Sequence, residues 1–201
     1  MLPGYSDRIH HALAFLAKHH PTRVSRYDGH SPLIRASSVA VILAGYGADE
    51  GTIVASILKQ LVDASPYARQ PSLAQDITAK FGAPVAAAVE AAVEPRFDVL
   101  GRQRTWKACR FEYLSRLAAA SPRAVDLCVA DELHLCGAAL VEIRRLGIEY
   151  LQATGSPSKE DTVWWYRSLL ETLDQHTTWR RQEMFQDFRR LADELAERLA
   201  S

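Results

Sequence analysis

Hydrophobic positions recur along the chain at intervals of three and four residues, which is the spacing of amphipathic helices rather than of strands. The clearest such stripe lies in a helix predicted from about Asp49 to Ala64 and comprises Ile53, Ile57, Leu58, Leu61 and Val62. Other segments rich in valine and isoleucine have the same helical spacing and alanine neighbours. The pattern predicts an all-α fold without strands.

Proline, glycine and capping residues predict where the other helices begin and end. Ser121-Pro122 supplies an N-cap followed by proline at the first helical position, so a long helix is predicted from there to about Leu146. Ser72 and Gln75 form a capping-box pattern that opens a short helix ending at Gly82. The remaining predicted helices are Tyr5–Lys18, Leu33–Ala44, Ala83–Val93, Arg102–Ala119, one opened by Ser158, and Thr178–Leu199.

Length and charge favour a single globular domain and argue against proteins that bind nucleic acid or span a membrane. A length of 201 residues fits a single helical domain over residues 1–201, and 24 basic against 24 acidic residues leave no net charge. We therefore expect neither nucleic acid nor a membrane as a partner, and no segment approaches the ~20 apolar residues that span a bilayer. The three cysteines form no C-x-x-C unit and are expected as buried thiols in the cytoplasm.

One turn and the helix after it form a recognisable motif: Gly47-Ala48-Asp49-Glu50, then IVASILKQLVDAS from Ile53. Four further segments follow at family-like spacing, namely Phe81–Val85, Ala130–His134, Arg145–Gly147 and Trp164–Arg167. Together they resemble RelA/SpoT-type small alarmone hydrolases of the HD-domain phosphohydrolase superfamily. The resemblance covers about Leu13 to Leu173 and implies a compact multi-helix HD-domain fold.

The same resemblance implies a degenerate metal site. Lys59 and Gln60 stand where the family has its metal-binding His-Asp pair. The family's first histidine falls on Arg35 or on Ala36, and the sequence leaves this one-residue register open. Of the two His and two Asp ligands expected in the family, only Asp131 remains. The family uses manganese, but the resemblance implies that no metal cofactor is held here.

Two flanking positions complete the predicted site. Asp63 occupies the position of a family glutamate, one helical turn after Lys59. His134 matches a family histidine with a structural role. Two arrangements of the Lys59 ammonium are open: it pairs with Asp131, with or without Arg35, and fills the vacated metal position, or it extends to the surface and pairs with Asp63.

Three functions remain open at this point. The first is a catalytically silent HD protein that binds a nucleotide or a protein. For a guanine nucleotide or alarmone ligand, the resemblance implies that Arg26 stacks on the base. Arg26, Arg35 and Lys59 then either form a pocket for the phosphate groups or are three separate solvated charges. The second is a divergent metal-dependent (p)ppGpp or nucleotide pyrophosphohydrolase, with His30 displaced into the site. The third is an interaction module, as a homodimer or a partner of an alarmone-type synthetase, built on the charged helix Thr178–Leu199.

Overall fold

A computed structural model of the chain describes residues 5–20, 32–149 and 157–200. Within these ranges the predicted all-α fold is confirmed, and the only β-type pairing is an isolated antiparallel bridge between Phe97 and Gln103. No helix in this part of the chain has the length and apolar character needed to cross a membrane. The helices are α1 (Asp7–His19), α2 (Pro32–Gly45), α3 (Glu50–Ala64), a 3-10 helix (Tyr67–Arg69), α4 (Gln70–Phe81), α5 (Ala83–Ala92), α6 (Trp106–Leu117), α7 (Pro122–Leu146), α8 (Lys159–Asp174) and α9 (Gln182–Ala200).

Capping residues fix the long helix α7 as the sequence predicts. The Ser121 hydroxyl accepts a hydrogen bond from the Ala124 backbone amide, and Pro122 occupies the first turn. Gly147 ends the helix with a φ of +82°, a value that glycine adopts without the steric cost of a side chain. Both ends of α7 therefore coincide with the predicted bounds.

The starts of α4 and α6 differ from the prediction. The capping box at Ser72 is wrong, because the 3-10 helix leads directly into α4 at Gln70 and the Ser72 hydroxyl donates to the Arg69 carbonyl. The start of α6 is also later than predicted. Residues 94–105 form a turn with the isolated bridge, and α6 begins at Trp106 with Thr105 as its N-cap.

Helix α3 lies at the centre of the fold. Every residue from Thr52 to Val62 is buried, because α1, α2, α5 and α7 pack around it. A helix with one apolar stripe normally leaves its other face in water. Here the polar positions, including Lys59 and Gln60, are buried as well, so the fold must supply partners for their polar groups.

The connection between α8 and α9 is tied to α7 through one buried carboxylate. Asp126 accepts a hydrogen bond from the Trp179 indole at 2.8 Å and pairs with the Arg181 guanidinium at 2.7 Å. Arg181 also donates to the Tyr46 carbonyl at the end of α2. These bonds hold residues 179–181 out of helical geometry, so the last helix begins at Gln182 rather than at the predicted Thr178.

Candidate functional site

Helices α2, α3 and α7 meet at five polar side chains, here called the ion cluster: Arg35, Lys59, Gln60, Asp63 and Asp131. Arg35 comes from the first turns of α2, and Asp131 from the middle of α7. Of the two candidate positions on α2, Arg35 reaches Asp131, while Ala36 is fully buried in the hydrophobic core.

The Asp131 carboxylate is the centre of the cluster and accepts four hydrogen bonds. Arg35 binds it in a bidentate manner, with Nε 2.8 Å from Oδ1 and Nη2 2.8 Å from Oδ2. Gln60 Nε2 donates to Oδ1 at 3.0 Å, and Lys59 Nζ donates to Oδ2 at 2.7 Å. Each oxygen therefore accepts two donors, which is close to the full capacity of a carboxylate.

The Lys59 ammonium lies between two carboxylates. Besides Asp131 it contacts Asp63 Oδ2 at 2.6 Å, one helical turn further along α3. Both pairings that the sequence left open are therefore made at once. The alternative in which Lys59 extends to the surface does not hold, because only 5% of its side chain is exposed. Helices α2 and α7 pack against α3 on either side of the cluster.

Opposite charges favour the ionised forms of Arg35, Lys59 and Asp131 against the effect of burial. Burial of Asp131 opposes its ionisation, but the Arg35 and Lys59 cations outweigh it and hold the pKa of the carboxyl well below its ordinary value. Burial of Lys59 acts against its charge, yet Asp131 and Asp63 raise the pKa of the ammonium above its ordinary value. The pKa of Arg35 is raised for the same reason, chiefly by Asp131.

A second group of polar residues surrounds the cluster. Glu132, the residue after Asp131, accepts hydrogen bonds from Arg110 Nη1 at 3.2 Å and from Trp165 Nε1 at 3.1 Å. Arg110 also pairs with Glu94 at 3.3 Å and lies 4.2 Å from the centroid of the Trp165 ring. Burial raises the pKa of Glu132, although Arg110 acts in the opposite direction.

Sequence analysis did not identify this second group. Glu132 and Trp165 lie within segments that the family resemblance matched, but Arg110 is 22 residues from Glu132 and no local pattern links them. The group joins the ion cluster through the Glu94 backbone amide, which donates to Asp63 Oδ1 at 3.3 Å. The two groups therefore form one connected polar network.

Of the remaining predicted site residues, the structure describes His134. His134 lies one turn beyond Asp131 on α7 and is partly buried. Arg26 and His30 fall outside the described residues, so the predicted base-stacking role and the displaced ligand stay predictions.

The donor set of the ion cluster does not fit a divalent cation. Such sites use imidazole nitrogens and carboxylate oxygens. Of the positions that the resemblance assigns to metal ligands, only Asp131 has such a group, and its oxygens accept hydrogen bonds from Arg35, Lys59 and Gln60. In the described ranges no three His, Cys, Asp or Glu side chains are grouped so that they could hold a metal ion. An incoming cation would also meet the Lys59 ammonium.

Comparison with known proteins identifies the class. The family model of the HD domain matches residues 12–136, so the chain belongs to the HD-domain family, as the sequence motifs predict. The search of curated proteins finds no match. The fold is similar to the crystal structure of lmo0812 from Listeria monocytogenes EGD-e, with a TM-score of 0.66 and 19% identity over 81% of this chain and 99% of that one.

A second solved structure places the fold beside an alarmone hydrolase. It is a metazoan orthologue of SpoT that hydrolyses ppGpp and plays a role in starvation responses. Its TM-score is 0.65 at 18% identity, and the alignment covers 94% of this chain and 98% of that one. The likeness concerns the fold, and an alarmone hydrolase-like HD fold is thereby confirmed.

Replacement of Asp131 by Asn tests how strongly the fold depends on the cluster. The substitution leaves two buried cations without their shared countercharge, and we expect a loss of about 3–5 kcal/mol in the free energy of unfolding. Urea denaturation measures the loss. Asp76→Asn, at an exposed site on α4, serves as the control and should change stability by less than about 0.5 kcal/mol. Equal stability of the two variants would contradict the predicted role.

The ion pair of Lys59 and Asp131 predicts that the free energy of unfolding depends on pH. The folded-state pKa of Asp131 lies below its ordinary value of 3.8, so its stabilisation is present above about pH 4 and lost as the pH falls further. The folded-state pKa of Lys59 is raised, so its stabilisation is complete below its ordinary value of 10.5. The stability difference between the wild type and Asp131→Asn should be flat near neutrality and shrink below about pH 4 in urea titrations. A difference that does not change on acidification would count against the pair.

Proposed function

We propose that this chain is an HD-domain protein in which the ion cluster replaces the metal centre, and that it acts by binding rather than by metal-dependent phosphohydrolysis. The observation that carries the proposal is the occupation of Asp131: its two oxygens accept four donors, three of them from the Arg35 and Lys59 cations. A metal ion activates water and stabilises charge on phosphoryl oxygens. The cluster offers the positive charge but no open coordination position for water.

The ligand we propose is a guanine nucleotide of the alarmone type. The support is the family membership together with the SpoT orthologue, which hydrolyses ppGpp. Two of the three N–H donors of Lys59 are directed at Asp131 and Asp63, and its side chain is only 5% exposed, so we do not assign Lys59 to the ligand. A phosphate group would instead meet Arg35, whose side chain is 17% exposed. Arg26 is the proposed base-stacking residue. Guanidinium groups suit both tasks.

We also place the protein in the cytoplasm. The support is the state of its cysteines, because Cys109, Cys128 and Cys136 are buried free thiols. Unpaired thiols are the usual state of cysteines in a reducing compartment.

Metal analysis and an activity assay test the loss of catalysis. We expect the purified protein to contain no stoichiometric manganese and to release no pyrophosphate from guanosine tetraphosphate with added manganese. Mass spectrometry of metals and phosphate analysis provide the readouts. One metal per chain together with pyrophosphate release would overturn the proposal.

In calorimetry, binding of guanosine tetraphosphate should be weakened by Arg26→Ala, and absence of binding would leave only a protein partner.

A gain-of-metal variant tests the position of the cluster. Arg35→His, Lys59→His and Gln60→Asp together restore the family's ligand types beside Asp131, and this variant should bind manganese. The control carries the same kinds of substitution at separated exposed sites, namely Lys107→His, Arg116→His and Gln75→Asp, and should bind none. If the first variant folds by circular dichroism but binds no more manganese than the control, the cluster does not occupy the metal position.

A further inference from the structure

An apolar tip projects from the turn between α5 and α6. Val99 is 89% exposed and Leu100 is 71% exposed, and they are adjacent at the end of the turn formed by residues 96–104. These two residues are here called the prong. Turn tips are usually built from Gly, Asn, Asp, Ser and Pro. Single exposed apolar side chains are ordinary, but an adjacent pair at the tip of an ordered turn indicates a contact surface.

Internal bonds hold the prong in one conformation. Asp98 Oδ1 accepts the backbone amides of Leu100 and Arg102, both at 2.9 Å, and the Asp98 amide donates to the Arg102 carbonyl at 2.9 Å. Gly101 has a φ of +74° and lies so close to the Tyr67 ring that an added Cβ would stand 2.7 Å from it. A tip ordered before contact loses little conformational entropy on docking.

The same chain carries a groove of matching character. A groove of about 380 Å³ lies between α8 and α9, within the size range of binding pockets. Val163 and Leu170 line one wall, Ala196 lines the other, and the buried Leu195 lies at its floor. Its rim carries the exposed acids Asp193 and Glu197 together with Arg167.

The prong and the groove lie on elements of opposite net charge. The segment 96–117, which contains the prong and α6, has six basic and two acidic residues, a net charge of +4. Helices α8 and α9 together have nine acidic and five basic residues, a net charge of −4. The neutral chain therefore separates its charge between the element that carries the prong and the helices that form the groove. Such complementarity steers association and fixes its orientation.

We propose that the prong of one copy docks in the groove between α8 and α9 of a second copy. The contact is heterologous, because two different surfaces meet, and repeated use of it closes a ring or extends a chain of copies. Val99 and Leu100 bury their side chains against the apolar walls, while the acids of the rim face the arginines around the prong. This inference is independent of the proposed nucleotide binding.

A mixing experiment with two variants tests the contact in analytical ultracentrifugation. The first variant, Val99→Ser with Leu100→Ser, loses the prong and keeps the groove. The second, Ala196→Arg with Glu197→Lys, blocks the groove and keeps the prong. The wild type should associate with rising concentration, and each variant alone should associate at least about tenfold more weakly. An equimolar mixture should form a one-to-one dimer and nothing larger, because only one functional contact remains.

The control is Val141→Ser, which removes another exposed apolar side chain, on α7, and should associate like the wild type. The inference is overturned if the wild type stays monomeric up to about 1 mM, if either variant associates as the wild type does, or if the mixture remains monomeric. Circular dichroism establishes that the variants fold. If either double variant does not fold, the single variants Arg102→Glu and Asp193→Arg replace the two double variants. Each single variant should associate more weakly than the wild type, and mixing the two should restore association.

Discussion

The Asp131 carboxylate, with the two cations and one amide that surround it, is the interaction on which the rest of the fold depends. A buried ion without a partner costs several kcal/mol, so helices that bring charges into a core must also bring their countercharges. Arg35 comes from α2, Lys59 from α3 and Asp131 from α7. The cluster therefore constrains the three helices relative to one another.

Helix α7 carries the acidic side chains that bind the other helices and the connection before α9. It carries three buried acids, Asp126, Asp131 and Glu132, and each of them faces a different partner. Asp126 fixes the connection to the last helix, while Glu132 binds Arg110 of α6. Because Asp63 also accepts the Glu94 amide, the polar network continues from the cluster to the turn that carries the prong. The ion pairs thus connect α2, α3, α6 and α7.

The sequence predicted those features that depend on local rules. The N-cap and proline of α7, the glycine that ends it and the helical spacing of α3 all act within a few residues. Prediction was wrong where a competing local structure was stronger. The 3-10 helix that follows Pro66 starts α4 before Ser72, and the turn at Asp98 delays α6.

The residues of the ion cluster were predicted from family resemblance and not from local rules. Family resemblance placed Lys59 near Asp131 and left two partners of the ammonium open, Asp131 or Asp63. It did not predict that Lys59 binds both, because that depends on how α2, α3 and α7 pack. The pairing of Glu132 with Arg110 has no signature in spacing at all. Long-range polar contacts of this kind follow from the packed fold, not from a motif.

A double-mutant cycle between Lys59 and Asp131 tests the central claim most directly. Lys59→Met, Asp131→Leu and their combination are compared by the free energy of unfolding in urea. If the ammonium occupies the metal position and neutralises Asp131, the double substitution should be less harmful than the sum of the single ones by at least about 2 kcal/mol. Additivity within about 0.5 kcal/mol would contradict the account, because it would mean that the two side chains do not depend on each other.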